Sequence, residues 1–178
     1  KGTEVRLTVQ PANADASDRF VVSLVRDEIK IEEGAAKAKV IEIPNGTDTP
    51  VRLGVIDLPS FYAPMDFGGG QPLLASADGP GYGRYTSKDV ARLLKKFEDE
   101  NVAGVVLDLR RNGGGSLEEA VKLTGLFIKK GPVVLVRQSD NRVILDEDPD
   151  PSVAYEGPLV VLTSRFSASA SEIFAGAL

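Results

Sequence analysis

The sequence predicts an α/β fold in which helices are layered on a largely parallel sheet. Three observations predict it. From Val51 onward, segments with the period of strands alternate with segments with the period of helices. Val102 to Leu109 is a continuous apolar run, which suits a strand buried on both faces. The later order of strand, helix, strand, strand, helix is the order of a layered α/β sheet rather than of a sandwich or a bundle.

Before Val51 the pattern is different. Gly2 to Gln10 sets Val5, Leu7 and Val9 against polar neighbours, the alternation of a half-buried strand. Pro11 to Asp18 is a polar loop, Phe20 to Val25 is a second strand, and Ile29 and Ile31 continue an alternating segment, so residues 2 to 31 read as a small β unit and its exit linker. A new register begins after Pro44-Asn45-Gly46. Val51 to Leu58 is a strand closed by Pro59, and Tyr62 to about Tyr85 is an irregular stretch marked by Gly68-Gly69-Gly70 and Gly79-Pro80-Gly81. Thr86-Ser87-Lys88-Asp89 starts a helix whose Val90, Leu93, Leu94 and Phe97 share one face as far as Asn101. After the apolar run, Ser116 to Lys130 is a helix and Pro132 to Arg137 a strand. Asp146 to Pro151 is an acidic turn, Leu159 to Thr163 a strand, and Ala170 to Leu178 opens a further helix.

Composition excludes several kinds of chemistry. The chain of 178 residues has no cysteine and no histidine, which removes disulfides, thiolate nucleophiles, imidazole bases and the commonest zinc ligands. No metal or cofactor is implied. The formal net charge is -5 and the basic residues are scattered, so nucleic acid is not an expected partner. No apolar run reaches the ~20 residues needed to cross a bilayer, and Lys1-Gly2-Thr3-Glu4 is not a signal peptide. The last residues, Gly176-Ala177-Leu178, stop in mid-pattern, as expected of a fragment.

Two turns carry candidate chemistry. Asp108 to Ser116 contains Gly113-Gly114-Gly115 between a strand and a helix, and such glycines let main-chain N–H groups approach an anion or oxyanion closely. The same residues also read as a flexible connection ended by a capping box, Ser116-x-x-Glu119. Ser164 to Glu172 is the second turn. Ser169-x-x-Glu172 is again a capping box, and Ser169 reads either as an N-cap or as a nucleophile beside the N–H groups of a helix start. The two roles are compatible. A serine without histidine needs another base, and the usual substitute is a lysine made neutral by burial.

Taken together, Val105 to Gly115, Gly125-Leu126-Phe127-Ile128, Gly157 to Leu162 and Phe166 to Ile173 resemble, in order and spacing, the tail-specific (carboxy-terminal processing) serine proteases of the bacterial envelope. The resemblance implies a crotonase-like or ClpP-like spiral of ββα units. It implies that residues 1–10 are the trailing strand of a PDZ domain, 11–50 a β-rich linker, and 51–178 a protease core incomplete at its carboxyl end. By the same resemblance Ser169 is the nucleophile, Ala170 and Gly115 supply the oxyanion-hole N–H groups, and Ser167 and Ser171 are neighbours. The general base is a lysine beyond Leu178, so these residues by themselves are not expected to hydrolyse peptides. Asp108, Arg110 and Asn112 shape the glycine turn. Implied partners are unfolded or C-terminally tagged protein substrates and an adaptor or activator protein, in the periplasm or cell envelope. Two other readings remain open: a noncatalytic peptide-binding or scaffold protein on the same fold, and an acyl-thioester enzyme that uses the glycine turn without the serine.

Overall fold

The computed structural model describes residues 2–15, 17–27, 34–46, 49–64 and 84–178. The alternating segment at Ile29 and Ile31 and most of the glycine-rich stretch lie outside them. The chain divides into two units, Lys1–Ile31 and Glu32–Leu178.

In the first unit β1 (Glu4–Val9) pairs antiparallel with β2 (Phe20–Val25), Leu7 opposite Val22 and Val9 opposite Phe20. The period of two places Val5, Leu7 and Val9 on one face with Phe20, Val22 and Leu24. Hydrogen bonds from the Gly2 N–H to the Arg26 carbonyl and from the Arg26 N–H to the Thr3 carbonyl extend the hairpin.

The second unit holds a sheet of β3 (Lys37–Ile43), β4 (Val51–Asp57), β5 (Gly104–Asp108) and β8 (Leu159–Leu162), in that spatial order. β3 runs antiparallel to β4, whereas β4 with β5 and β5 with β8 are parallel. This is the α/β fold with a largely parallel sheet. Strand β3, which the sequence pattern leaves within the linker, pairs with β4 from Lys37 opposite Asp57 to Ile43 opposite Val51.

Helices α1 (Thr86–Asp99), α2 (Leu117–Thr124) and α3 (Ala170–Ala177) supply Val90, Leu94, Phe97, Leu123 and Phe174 to a core with Ile56, Leu58, Phe61, Val105, Leu107 and Leu109. Burying a side chain of this size stabilises by roughly 1.5–3 kcal/mol. Gly54 lies directly under the Phe97 ring, where a Cβ would overlap it, so α1 sits close on β4. The opposite face of the sheet is more open. Val106 is only partly buried and Val160 is 53% exposed, so the central strand is dry on one face rather than on both.

The carboxyl end of α1 is set by Asn101, whose φ of 53° places it in the left-handed region that asparagine tolerates. Its amino end is held by tertiary contacts. Glu119 of α2 is fully buried and its Oε2 accepts from both the Ser87 N–H (2.8 Å) and the Ser87 hydroxyl (2.9 Å). Ser116 does accept the Glu119 N–H at 3.2 Å, but the Glu119 carboxylate caps α1 instead of returning to Ser116. Replacing Glu119 by alanine leaves Ser87 groups unpaired and is expected to cost about 1–3 kcal/mol in urea unfolding, with Glu119→Gln losing less because one acceptor oxygen remains.

Two sequence expectations are corrected in the connection between β5 and β8. Helix α2 ends at Thr124 and not near Lys130: beyond it the Leu126 and Phe127 N–H groups bond back to the Leu123 and Thr124 carbonyls as in a tightened last turn, and the Leu126 carbonyl accepts from the Ala154 and Tyr155 N–H groups instead of from the helix. Asp146, Glu147 and Asp148 are not a turn. They end β7 (Val143–Asp148), which pairs antiparallel with β6 (Gly131–Arg137) in a separate hairpin, with Leu135 opposite Leu145 and Gly131 opposite Asp148.

Tyr62 ties three elements together. Its hydroxyl accepts the Ala36 N–H and donates to Asp89 Oδ2 at 2.8 Å, while the Tyr62 main chain exchanges two hydrogen bonds with the Thr86 hydroxyl. Burial, then the bond to Asp89, pushes the phenol up to about 12 from its ordinary 10.0. The neutral phenol is the form the fold favours, so its contribution is fully present below pH 10 and is lost as pH rises through about 12. In an absorbance titration Tyr62 is expected to ionise after an unburied tyrosine, and Tyr62→Phe to remove that late step.

Candidate active site

Two parallel neighbours whose chains turn at the same end bring their following loops together, which is where open α/β sheets place their sites. Asp108 at the end of β5 pairs with Leu162 at the end of β8. The glycine turn after β5 and the serine turn after β8 therefore start side by side, joined by the Leu109 N–H donating to the Leu162 carbonyl at 2.8 Å.

Serine hydroxyls fasten the rest. Ser164 Oγ donates to the Arg110 carbonyl (2.6 Å), Ser167 Oγ to the Leu109 carbonyl (2.7 Å) and Ser171 Oγ to the Asn112 carbonyl (2.9 Å). Each of these three hydroxyls is engaged in holding one turn on the other. Ser169 is different. Its N–H donates to Glu172 Oε2 at 2.8 Å in a capping-box arrangement, while the Glu172 N–H goes to the Ser169 carbonyl oxygen at 2.9 Å. Ser169 is exposed, whereas Ser164 and Ser167 are half-buried and Ser171 is buried.

The backbone at Ser169 is itself unusual, with φ 53° and ψ -117°. Holding a residue with a Cβ in a sparsely populated region costs of order 1–3 kcal/mol and persists only when the surroundings enforce it. A sharp, strained strand-to-helix turn of this kind thrusts a side chain out over the start of a helix. Ala170, the next residue, is buried and begins α3.

Gly114 packs directly on this elbow. At φ 109°, a Cβ on it would stand 2.8 Å from the Ser169 Cβ, 2.9 Å from the Ala168 oxygen and 3.2 Å from the Ala170 nitrogen. Gly115, at φ 144°, lies against the backbone of Phe61, where a Cβ would overlap the Phe61 carbonyl oxygen. The bridge there runs from the Phe61 N–H to the Gly114 carbonyl (3.0 Å) and from the Ser116 N–H to the Phe61 carbonyl (2.8 Å). This pattern uses residues on either side of Gly115, so the Gly115 N–H is turned away from Phe61. Ser169, Ala170 and the glycine turn thus lie together at one end of the sheet. The sequence pattern missed the contact of Phe61 with Gly115, since nothing local in Pro59-Ser60-Phe61 signals it.

Around the turn, Asp108 takes the Arg110 guanidinium in a two-point fork (2.9 and 2.6 Å), and Arg111 pairs with Asp57 at 2.8 Å. The hydrogen bonds from Arg110 hold the Asp108 carboxyl below the usual carboxylate range. Lysines engaged elsewhere are held charged. The bond to Glu118 raises Lys122, and that to Glu98 raises Lys95.

Residues 52–178 match the model of peptidase family S41. The chain belongs to peptidase family S41. Over all of its 178 residues it is 41% identical to the tail-specific protease of Haemophilus influenzae, covering 22% of that protein. It is 27% identical over 179 aligned residues to the chloroplastic carboxyl-terminal-processing peptidase 2 of Arabidopsis thaliana, covering all of this chain and 30% of that protein. The S41 chain thus spans between a fifth and a third of the length of these relatives, which are proteases by name. Its fold matches the photosystem II D1 C-terminal processing protease with a TM-score of 0.61 and 24% identity, over 99% of this chain and 41% of the other.

Proposed function

We propose that this S41 chain carries the nucleophile and oxyanion cradle of a serine endopeptidase that acts on proteins through their carboxyl tails. Ser169 Oγ attacks the scissile carbonyl carbon and its proton passes to a neutral lysine, which in this reading lies outside these residues. The Ala170 and Gly115 N–H groups stabilise the oxyanion. Collapse breaks the C–N bond, the lysine returns the proton to the leaving amine, and water then releases the acyl group from Ser169. The observation that carries this reading is that, among Ser164, Ser167, Ser169 and Ser171, Ser169 alone combines a positive φ with an exposed side chain, while the other three hydroxyls hold the two turns together.

In this reading the hairpin of β1 and β2 includes the trailing strand of a PDZ domain that captures substrate tails, the second unit is the opening part of a ClpP-like spiral, and unfolded or tagged proteins of the periplasm or cell envelope are the substrates, with an adaptor or activator as a further partner. The 41% identity to a tail-specific protease over the whole chain supports it. Among the described residues no helix is long and apolar enough to cross a membrane. The test is cleavage of an unstructured, C-terminally tagged protein by the longer protein that contains these residues. Activity abolished by Ser169→Ala is the expected result, and full activity in that variant overturns the proposal. The 178 residues alone are expected to be inactive in the same assay.

A further inference from the structure

Asn112 is fully buried, and it bonds to three segments at once. Its Nδ2 donates to the Leu58 carbonyl just past β4 (3.0 Å), and its Oδ1 accepts the Gly114 N–H (2.9 Å). Its own carbonyl accepts the Ser171 hydroxyl at 2.9 Å and the Ala168 N–H at 3.3 Å. A run of three glycines has little conformational preference of its own. The Phe61 bond to the Gly114 carbonyl holds the Gly114–Gly115 peptide, and the peptide before it, which carries the competing Gly114 N–H, needs a partner of its own.

We propose that the Asn112 side chain is that partner, and so a positioning residue for the site. By taking the Gly114 N–H for itself, Oδ1 fixes the orientation of that peptide, and the following amide, Gly115 N–H, becomes the one left to face an oxyanion beside Ala170. The Nδ2 bond to Leu58 anchors the side chain to the neighbouring strand, so that it cannot follow the turn if the turn moves. The four bonds are made inside the protein, where a satisfied polar network is rigid and an unsatisfied one is costly. Asn112 touches no reacting atom. Its effect is to place one that does. The inference rests on the reading of Ser169 as the nucleophile.

The test compares Asn112→Ala and Asn112→Asp with wild type in the longer protein, using a peptide substrate, a peptidyl aldehyde and the corresponding peptidyl alcohol. The aldehyde adds the serine Oγ to its carbonyl carbon, and the former carbonyl oxygen then sits where the oxyanion would; the alcohol binds the cleft without this step. With variants shown to be folded by circular dichroism, kcat and aldehyde affinity are expected to fall together by about 10²-fold, while KM and alcohol affinity stay within about 2-fold. The Asp variant keeps an acceptor for the Gly114 N–H and covers the case in which the Ala variant does not fold. Wild-type kcat in a folded variant overturns the inference, as does an equal loss of aldehyde and alcohol affinity. Failure of both variants to fold also overturns it, by making Asn112 a residue of the core rather than of the site. Ser169→Ala separates this inference from the reading beneath it. If that variant binds the aldehyde as tightly as wild type, Ser169 is not the nucleophile, whatever Asn112 does.

Discussion

Replacing Gly115 by alanine is expected to destabilise the protein by roughly 2–6 kcal/mol, the combined range for an overpacked contact and a strained backbone, and to abolish proteolysis. The new methyl would overlap the Phe61 carbonyl oxygen and crowd its carbon and nitrogen, at 2.8 and 2.9 Å. These are backbone atoms. They cannot rotate aside as a side-chain tip could, and moving them breaks the pair of bonds that join Phe61 to Gly114 and Ser116. The φ of 144° adds a second penalty, because a residue with a Cβ avoids that region. Gly113 is the internal control: it meets nothing within 4 Å. Urea unfolding of Gly113→Ala and Gly115→Ala should therefore differ by most of the estimate above, and equal midpoints would show that the glycine turn is not packed on Phe61.

Replacing Ser169 by glycine is expected to eliminate activity and, at the same time, to raise stability by about 1–2 kcal/mol, the strain of the elbow less the entropic cost of a glycine. For a domain of this size each kcal/mol moves the thermal midpoint by about 2–4 °C. Alanine is the informative comparison. Ser169→Ala removes the same hydroxyl but keeps the Cβ at φ 53°, so its midpoint should stay at the wild-type value. A gain in the glycine variant alone assigns the strain to the backbone. Equal midpoints in the two variants would mean that no strain is held at this residue, and the chief mark that singles Ser169 out would be lost.

Where a feature depends on local pattern, the sequence showed it. The apolar run 102–109 became β5, and Val90, Leu94 and Phe97 became the buried face of α1. Where a feature depends on a distant partner, the pattern misled. Glu119 has the spacing of a capping box with Ser116, yet its carboxylate caps Ser87 because α1 packs beside α2. The acidic run at Asp146–Asp148 lies in a strand because β6 pairs with it. Past α2 the Leu126 carbonyl bonds to the distant Ala154 and Tyr155 N–H groups rather than to the helix. The sequence pattern leaves Lys37–Ile43 within the linker, because only pairing with β4 makes it part of the sheet. The candidate site divides in the same way. Both turns were visible as separate strand-to-helix connections, whereas their meeting requires β5 and β8 to be parallel neighbours across a long intervening connection. The sign of φ at Ser169 and the contact of Phe61 with Gly115 have no signature in sequence at all.

The most direct measurement is to treat the longer protein with a serine-reactive fluorophosphonate and map the modified residue by mass spectrometry. A single phosphonyl adduct on Ser169 is expected, formed at a rate that parallels loss of proteolysis. An adduct on Ser164, Ser167 or Ser171, or proteolysis that persists with Ser169 fully modified, would contradict it.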